Sequence, residues 1–191
     1  MKKNLIISVW FTLITTVIFG VIYPLAVTAL SQAFFRDRAN GGIIEQNGQP
    51  IGSRLIGQAF TGPEYFHSRL SSAGAGYDGR SSGGSNLGPT NKYLVDRVNG
   101  DIQRLHAENP AAVVPVDLIT SSGSGLDPHI SPAAAEFQIP RVARERHVSE
   151  TDLRTIVARH TEGRQLGFLG ESRVNVLELN LELDAGHPVP H

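Results

Sequence analysis

The chain has no cysteine, and it has only one methionine and one tryptophan in 191 residues. Without cysteine the fold cannot be held by disulfides, and the chain cannot carry the lipid of a lipoprotein anchor. Three catalytic signatures are also missing: the phosphate-binding Gly-x-x-x-x-Gly-Lys-Ser/Thr loop, the Asp-Lys-Thr-Gly phosphorylation sequence and His-Glu-x-x-His. The sequence therefore does not indicate a motor that hydrolyses nucleotides by itself.

Charged side chains are absent from residues 5–30, directly after Lys2 and Lys3. A helix rises about 1.5 Å per residue, so roughly 20 apolar residues cross a hydrocarbon core about 30 Å thick. This run predicts a transmembrane helix over residues 5–30. The alternative is a cleaved signal peptide, but its apolar region would be shorter, about 7–15 residues.

Basic residues lie on both sides of the predicted span. Lys2, Lys3 and the amino terminus precede it, whereas Arg36 and Arg38 follow with Asp37 between them. Because basic residues are enriched on the cytoplasmic side, the balance favours a cytoplasmic N-terminus at residues 1–4. We therefore expect a single-pass protein of a bacterial inner membrane whose remainder is extracytoplasmic.

Small residues recur at every fourth position of the span. They are Ser8, Thr12, Thr16, Gly20 and Pro24. Helices in lipid associate through close packing at small residues and through hydrogen bonds between polar side chains. The pattern predicts packing against a partner helix, with a kink at Pro24 near the outer end. The alternative is that such residues are simply common in membrane spans.

Residues 31–191 have the composition of one α+β domain. The chain carries 17 basic and 18 acidic residues, and two of the basic ones precede the span, which argues against a nucleic-acid partner. Residues 70–90 are rich in serine and glycine and predict a long surface loop, where binding function often lies. The seven histidines are scattered, His187 and His191 among them, and we assign no metal site.

Helices are predicted in three places. Ser149 is a candidate N-cap of a helix that runs about 12 residues and ends at Gly163. Ser131 followed by Pro132 predicts a second start, and we expect Pro140 to bend or stop that helix. Apolar residues at helical spacing predict a third helix over residues 91–109.

Strands are predicted in two places. Leucines alternate with polar residues over 174–183, which is typical of a strand that covers a core with one face. Residues 113–120 form the second candidate strand. Together with the three helices, these elements predict a mixed α/β domain after the single transmembrane helix.

The serine- and glycine-rich segment contains one candidate binding loop. Its members are Ser82, Gly83, Gly84, Ser85 and Asn86. Backbone amides and hydroxyls in such a loop can surround an anion, so this is our candidate for a nucleotide site. The alternative is a flexible loop without a ligand.

A second candidate site lies in residues 121–132. Ser124, Asp127 and His129 combine a hydroxyl, an acid and an imidazole, which invites a hydrolase interpretation. The nucleophile-elbow pattern is absent, however, and triad members normally come from distant segments. We favour a structural turn, with Ser131 as a helix cap and a docking role for Asp127, His129 and Ser131.

Seven segments in order carry a resemblance to a known family. The most distinctive reads Ser-Gly-Leu-Asp-Pro-His-Ile-Ser over residues 124–131. The others fall within residues 23–25, 52–58, 65–69, 82–91, 141–143 and 174–180. The chain closely resembles the C subunit of the Kdp potassium-transporting ATPase of bacteria over nearly its whole length, although the family usually has proline where Leu70 stands.

This resemblance implies an accessory subunit with no catalytic residues of its own. Its partners would be a channel-like subunit that carries potassium and a P-type subunit that hydrolyses ATP. The family's C subunit stabilises the complex and is described as a catalytic chaperone that raises the motor's affinity for ATP. The chain is not expected to bind a cofactor firmly, and any contact with ATP would occur through the complex. A membrane-anchored hydrolase and an adhesion or scaffold module are the alternatives.

Overall fold

A computed structural model describes residues 1–189. The chain divides into two units, Met1–Ile43 and Ile44–His191. The first unit consists of helices α1 (Lys2–Val17), α2 (Tyr23–Phe34) and α3 (Arg36–Ala39). A π-turn at Ile18–Ile22 joins α1 to α2.

The first two helices form one continuous apolar rod, Lys2–Phe34, of 33 residues with a mean hydropathy of 2.5. None of its residues is buried against the rest of the chain. By length and composition this rod is able to cross a membrane. It is longer at both ends than the predicted segment 5–30.

The π-turn lies directly before Pro24, where a kink was predicted. Proline has no amide hydrogen, and its ring crowds the carbonyl four residues earlier. In the structure the amide of Tyr23 bonds the carbonyl of Ile18, five residues back, as in a π-helix. The wider turn thus accommodates Pro24 within a helix that continues on both sides.

The second unit begins with a β-hairpin, β1 (Ile43–Gln46) and β2 (Gln49–Ser53). Asn47 and Gly48 connect the strands with φ angles of 53° and 73°. Both lie in the left-handed region, which a two-residue type I′ turn requires. The sequence Asn-Gly therefore specifies this hairpin.

A three-stranded antiparallel sheet forms the centre of the second unit, with order β3–β5–β4. The strands are β3 (His129–Ile130), β4 (Thr161–Glu162) and β5 (Arg173–Asn175). His129 pairs with Asn175, and Thr161 pairs with Val174. The middle strand, β5, therefore pairs with β3 on one side and with β4 on the other.

Three helices begin where the sequence predicted them: α4 (Lys92–Glu108), α5 (Pro132–Arg146) and α6 (Glu150–Arg159). The hydroxyl of Ser131 accepts the amide of Ala134 at 3.0 Å, and that of Ser149 accepts the amide of Asp152 at 3.1 Å. Side-chain acceptors at these positions satisfy amides that a helix start leaves free. The N-cap predictions are confirmed.

Two helices do not end where the sequence indicated. Pro140, expected to bend or stop α5, does not stop it, and the helix continues to a left-handed cap at His147 with φ of 55°. Buried residues on both sides of Pro140, such as Ile139 and Val142, hold the helix against the core, and this packing outweighs the missing hydrogen bond. Helix α6 ends at Arg159, before Gly163.

The predicted strand over 174–183 is also wrong. Only β5 is extended there, and helix α7 (Val176–Gly186) follows it directly. Asn175 caps this helix by accepting the amide of Glu178 at 3.1 Å. The helix contacts the core with more than one side, so apolar residues do not keep to a single helical face. Its buried apolar residues are Val176, Leu177, Leu179 and Leu183.

The predicted strand over 113–120 is replaced by a loop with a short 3₁₀ turn, Val116–Leu118. Pro115 cannot donate a strand hydrogen bond, and Val113 is 92% exposed. Only Leu118 is buried in the turn. The serine- and glycine-rich segment that was predicted to be a loop contains no helix or strand over residues 71–90.

The hydrophobic core lies between the sheet and helices α5, α6 and α7. Its largest fully buried apolar side chains are Phe66, Ile130, Ile139, Leu153, Leu179, Leu183, Val142, Val174 and Val176. Helix α4 contributes only Leu105 among its buried residues and is otherwise peripheral. The core therefore depends mainly on the C-terminal third of the sequence, together with the distant residues Phe66, Leu105 and Leu118.

Phe66 is held in the core by a side-chain amide. Asn180 accepts the amide of Phe66 and donates to its carbonyl, both at 2.9 Å. Gln138 does the same for His67, at 2.8 and 3.2 Å. Both amide side chains are almost fully buried. They take the place that a neighbouring strand would occupy in a sheet.

Two buried arginines hold the same segment. Arg141 donates to the carbonyl of Tyr65 at 2.9 Å and to that of Pro63. Its Nε also donates to the carboxylate of Glu108 at 2.8 Å. Arg146 donates to the carbonyl of Glu64 at 2.7 Å. We refer to Gln138, Arg141, Arg146 and Asn180 as the polar clamp.

Replacing Asn180 by leucine tests the clamp. Leucine keeps the volume but leaves the amide and the carbonyl of Phe66 buried without partners, which should cost roughly 2–4 kcal/mol of unfolding free energy. Thermal unfolding of the detergent-solubilised chain, followed by circular dichroism, measures the loss. Asn99→Leu, at an exposed position of α4, is the matched control, and equal losses in both variants would contradict the clamp.

Candidate docking site

A tight turn over residues 122–127 forms the centre of the candidate site. Gly125 has φ of +66°, and a Cβ there would lie 2.6 Å from both the amide nitrogen of Ala73 and the carbonyl oxygen of Gly83. Gly57 approaches from another direction, donating its amide to the carbonyl of Leu126 at 2.7 Å. Only glycine fits a position with positive φ and such close backbone contacts.

Asp127 connects this turn to two basic side chains. One carboxylate oxygen accepts from Arg69 at 3.1 Å, and the other accepts the backbone amide of His129 at 3.0 Å and lies 3.4 Å from its Nδ1. Partial burial raises the pKa of Asp127, but the hydrogen bonds of His129 and the charge of Arg69 outweigh it and leave the pKa below its usual value. Asp127 is thus an anion in the folded protein.

An open cleft of about 520 Å³ lies beside this ion pair. Its polar lining includes Arg69, Asp117, Asp127, His129 and Arg173. Asp117 accepts both the amide and the hydroxyl of Ser131, at 2.7 and 3.1 Å, so it fixes the start of α5. The cleft presents fixed charges of both signs, a surface that suits a polar protein partner.

The hydrolase triad does not form in the part of the chain that the structure describes. The hydroxyl of Ser124 accepts the amide of Leu126 at 3.1 Å and lies 3.4 Å from that of Ser122, and it makes no hydrogen bond to His129. Asp127 and His129 do meet, but a nucleophile has to bond the imidazole as well. The geometry favours the structural turn over the hydrolase.

The candidate nucleotide loop packs on this turn. The amide of Gly83 and the hydroxyl of Ser82 both donate to the carbonyl of Ser124, at 2.8 and 3.0 Å. A Cβ on Gly84 would lie 3.1 Å from the carbonyl of Gly123. Two of the donors that a phosphate would need are therefore used within the fold.

The rest of this loop faces a second cleft of about 410 Å³. Gly84, Ser85 and Asn86 line it, and Asn86 has φ of 52°. Arg97 lines the same cleft but is bound to Asp101 at 3.0 Å and to the carbonyl of Ile119 at 3.2 Å. The loop and the turn are joined by hydrogen bonds and form one continuous surface rather than two independent sites.

The small-residue stripe of the first unit is accessible along its length. Ser8 bonds its own helix through the carbonyl of Asn4 at 2.9 Å, whereas Thr12 and Thr16 make no side-chain hydrogen bond within residues 1–189. A Cβ on Gly20 would meet only Thr16, at an ordinary 3.9 Å. Nothing in the described chain requires glycine at position 20.

The π-turn affects how the stripe is arranged. In an α-helix, residues four apart are offset by about 40° around the axis, so a four-residue pattern drifts. A π-turn holds more residues per turn and offsets them in the opposite direction. Because the π-turn covers Ile18–Ile22, it keeps Gly20 and Pro24 nearer to the face that begins at Ser8.

Sequence reasoning missed two residues of the candidate site, Arg69 and Asp117. Arg69 is the last residue of segment 65–69, which carries the family resemblance, and that segment was the signal that could have identified it. Asp117 lies in a short 3₁₀ turn within residues 113–120, which were wrongly predicted to form a strand. Within residues 1–189 no group of three side chains is arranged to hold a metal ion, and His191 lies outside the described residues.

The described chain combines one apolar helix that is long enough to cross a membrane with a mixed α/β domain, as in a single-pass membrane protein. The family model described as "KdpC: K+-transporting ATPase, c chain" matches residues 5–185. The chain therefore belongs to the KdpC family, and the resemblance seen in the sequence is confirmed.

Curated relatives match over almost their full lengths, and each is named a potassium-transporting ATPase KdpC subunit. The protein of Koribacter versatilis is 65% identical, with 100% of this chain and 98% of the relative covered. That of Rhodopseudomonas palustris strain BisB18 is 52% identical, with 97% and 99% covered. That of Mycobacterium bovis is 52% identical, with 96% and 99% covered.

The Asp127 ion pair predicts a pH-dependent stability. Because the pKa of Asp127 is lowered by folding, its contribution is present above the unfolded pKa of about 3.9 and is lost as the pH falls through the folded value. Asp127→Asn keeps the acceptor for the His129 amide and removes the charge. We expect it to cost about 0.5–1 kcal/mol at pH 7 and nothing in strong acid.

Unfolding free energies of both chains between pH 7 and pH 2 measure this difference. Asp96→Asn, in the exposed Lys92 pair on α4, is the control for the loss of a surface carboxylate and should cost less than Asp127→Asn at pH 7. A constant deficit of Asp127→Asn at every pH would mean that the charge of Asp127 is not the stabilising feature.

Proposed function

We propose that this chain is a non-motor accessory subunit of an ATP-driven potassium uptake pump, which assembles and stabilises the complex. One observation carries the proposal: in a KdpC-family chain, a 33-residue apolar helix has none of its residues covered by the rest of the chain. Relatives are named as subunits of a potassium-transporting ATPase, so the partners that we propose are the channel-like and ATP-hydrolysing subunits.

The stripe Ser8, Thr12, Thr16, Gly20 is the proposed contact with a helix of the channel-like subunit. Lipid tails are as apolar as leucine, so a helix gains little from apolar contact alone and associates through close approach and hydrogen bonds. Gly20 supports close approach because its Cβ position is open, and the hydroxyls of Thr12 and Thr16 are available as donors.

The domain after the helix lies, in this proposal, outside the cytoplasm and covers the outer mouth of the channel-like subunit. Lys2 and Lys3 before the helix support that orientation. The cleft of Asp127 and His129 is the proposed docking surface, because its charges are fixed by ion pairs before a partner arrives.

The catalytic chaperone role follows as an indirect effect. ATP is hydrolysed in the cytoplasm, so an outer domain would raise the ATP affinity of the motor through coupling across the complex, typically about 1–3 kcal/mol. Direct contact at Ser82, Gly83, Gly84, Ser85 and Asn86 is the alternative, and it needs the opposite orientation. The hydroxyl of Ser82 and the amide of Gly83 already donate to the carbonyl of Ser124, so they are not free to bind a phosphate, which favours the indirect effect.

Replacing Gly20 by leucine tests the helix contact. The added Cβ meets only Thr16, at an ordinary contact distance of 3.9 Å, so the protein should fold and insert normally but fail to approach its partner. We expect a loss of roughly tenfold or more in co-purified larger subunits and in potassium-stimulated ATP hydrolysis, a coupling of about 1.4 kcal/mol or more.

Ala26→Leu is the matched control, since residue 26 lies about 200° around the helix from Pro24 in α2. It should leave both readouts unchanged. Full assembly of Gly20→Leu would contradict the proposed contact, and recovery of the unaltered chain without any larger subunit would favour an adhesion module.

The absence of cysteine makes the orientation directly measurable. In intact cells, a membrane-impermeant maleimide should label Ser85→Cys and leave Lys3→Cys unlabelled until the cells are opened. Both positions are exposed, so labelling reports the side of the membrane rather than burial. The reverse pattern would overturn the outer location and restore direct nucleotide contact as the leading mechanism.

A further inference from the structure

An apolar hairpin over residues 164–170 projects from the strands β4 and β5. The amide of Gln165 donates to the carbonyl of Leu169, and the reverse bond forms as well, both at 2.9 Å. Leu166 and Gly167 have φ of 53° and 81°, which makes the tip a tight turn. The hairpin is therefore a formed structure and not a loose loop.

The tip of this apolar hairpin exposes large apolar side chains. Leu166, Phe168 and Leu169 are 82%, 70% and 48% exposed. Arg164 carries the only charge between residues 164 and 170. Contiguous exposed apolar groups of this kind mark surfaces that contact a protein partner or a membrane.

The size of the tip decides between these two partners. Three such side chains offer roughly 300–400 Å² of apolar surface. A stable protein interface buries about 800 Å² on each partner, so the tip is too small to hold a second copy or another protein by itself. A membrane needs no such area if the domain is already attached to it.

A short connection, residues 35–43, attaches this domain to the apolar helix. A short tether gives a high effective concentration, so a contact that is weak alone becomes populated. The charged residues beside the tip, Glu162, Arg164, Glu171 and Arg173, sum to zero, so the exposed apolar side chains rather than charge would drive the contact. We propose that the apolar hairpin inserts into the headgroup boundary of the membrane that the helix spans.

This inference rests on the proposed function, because it needs the helix in a bilayer. Insertion would give the domain a second point of contact with the membrane and limit its rotation about the connection. Leu166, Phe168 and Leu169 would enter the boundary, and Arg164 would stay at the level of the phosphates.

The single tryptophan of the chain, Trp10, makes a direct test possible. The full chain is reconstituted in nanodiscs of phosphatidylcholine and phosphatidylglycerol, with plain or brominated acyl chains that quench nearby tryptophan. In the variant Trp10→Phe with Phe168→Trp, we expect brominated lipid to remove roughly half of the emission, as for a side chain about 5–10 Å deep.

Val113→Trp in the same Trp10→Phe background is the control, because Val113 is 92% exposed on another loop. Its emission should be quenched by aqueous acrylamide and not by brominated lipid. If the tryptophan introduced at position 168 behaves like this control, the inference is wrong. If it becomes shielded only when the other pump subunits are added, the partner is a protein and the inference is equally overturned.

The unaltered chain separates this failure from that of the proposed function. Trp10 lies inside the apolar helix, so brominated lipid should quench it. Quenching of Trp10 without quenching at position 168 contradicts the hairpin alone. Absence of quenching at Trp10 contradicts the span, and with it both proposals.

Discussion

The structure of the second unit depends on the polar clamp that fixes residues 63–67. This segment has no neighbouring strand, yet Phe66 is fully buried and its backbone amide and carbonyl need partners. Asn180 supplies both from α7, and Gln138 does the same for the next residue, His67, from α5. A buried polar group without a partner costs about 1–3 kcal/mol, so the clamp allows a chain segment without sheet pairing to enter the core.

The clamp also positions the candidate docking site. Arg69 follows the clamped segment by two residues and reaches Asp127, while the hydroxyl of Tyr77 donates to the carbonyl of Arg69 at 2.6 Å. Ser71 donates to the carbonyl of Gly125 at 2.6 Å and so attaches the same segment to the turn. The position of the polar cleft is thus fixed by core helices, through a chain of hydrogen bonds that runs from α5 and α7 to Asp127.

Sequence signals were reliable where the structure depends on interactions between residues that are close together in the sequence. Ser131 and Ser149 start helices because their hydroxyls accept amides only three residues away. Asn47 and Gly48 carried an equally local hairpin signal that our interpretation did not use. The family was also recognisable, because its motifs are contiguous stretches of sequence.

The errors arose where distant contacts decide the structure. Leucines at 177, 179, 181 and 183 alternate with polar residues as in a strand. Because α7 buries residues on more than one of its sides, that alternation did not identify a strand face. Pro140 was expected to bend or stop α5, but core packing on both sides keeps the helix continuous. The partners of Phe66 lie more than a hundred residues away at Asn180, which no local pattern shows.

The proposed assembly requires that the small-residue stripe, and not another face of the helix, contacts a second subunit. A photo-crosslinking amino acid placed at Thr16 or at Ala26 in cells grown on low potassium tests this contact directly. The proposed contact predicts a covalent product with a larger pump subunit from position 16 and none from position 26. Equal products from both positions, or products with lipid alone, would contradict it.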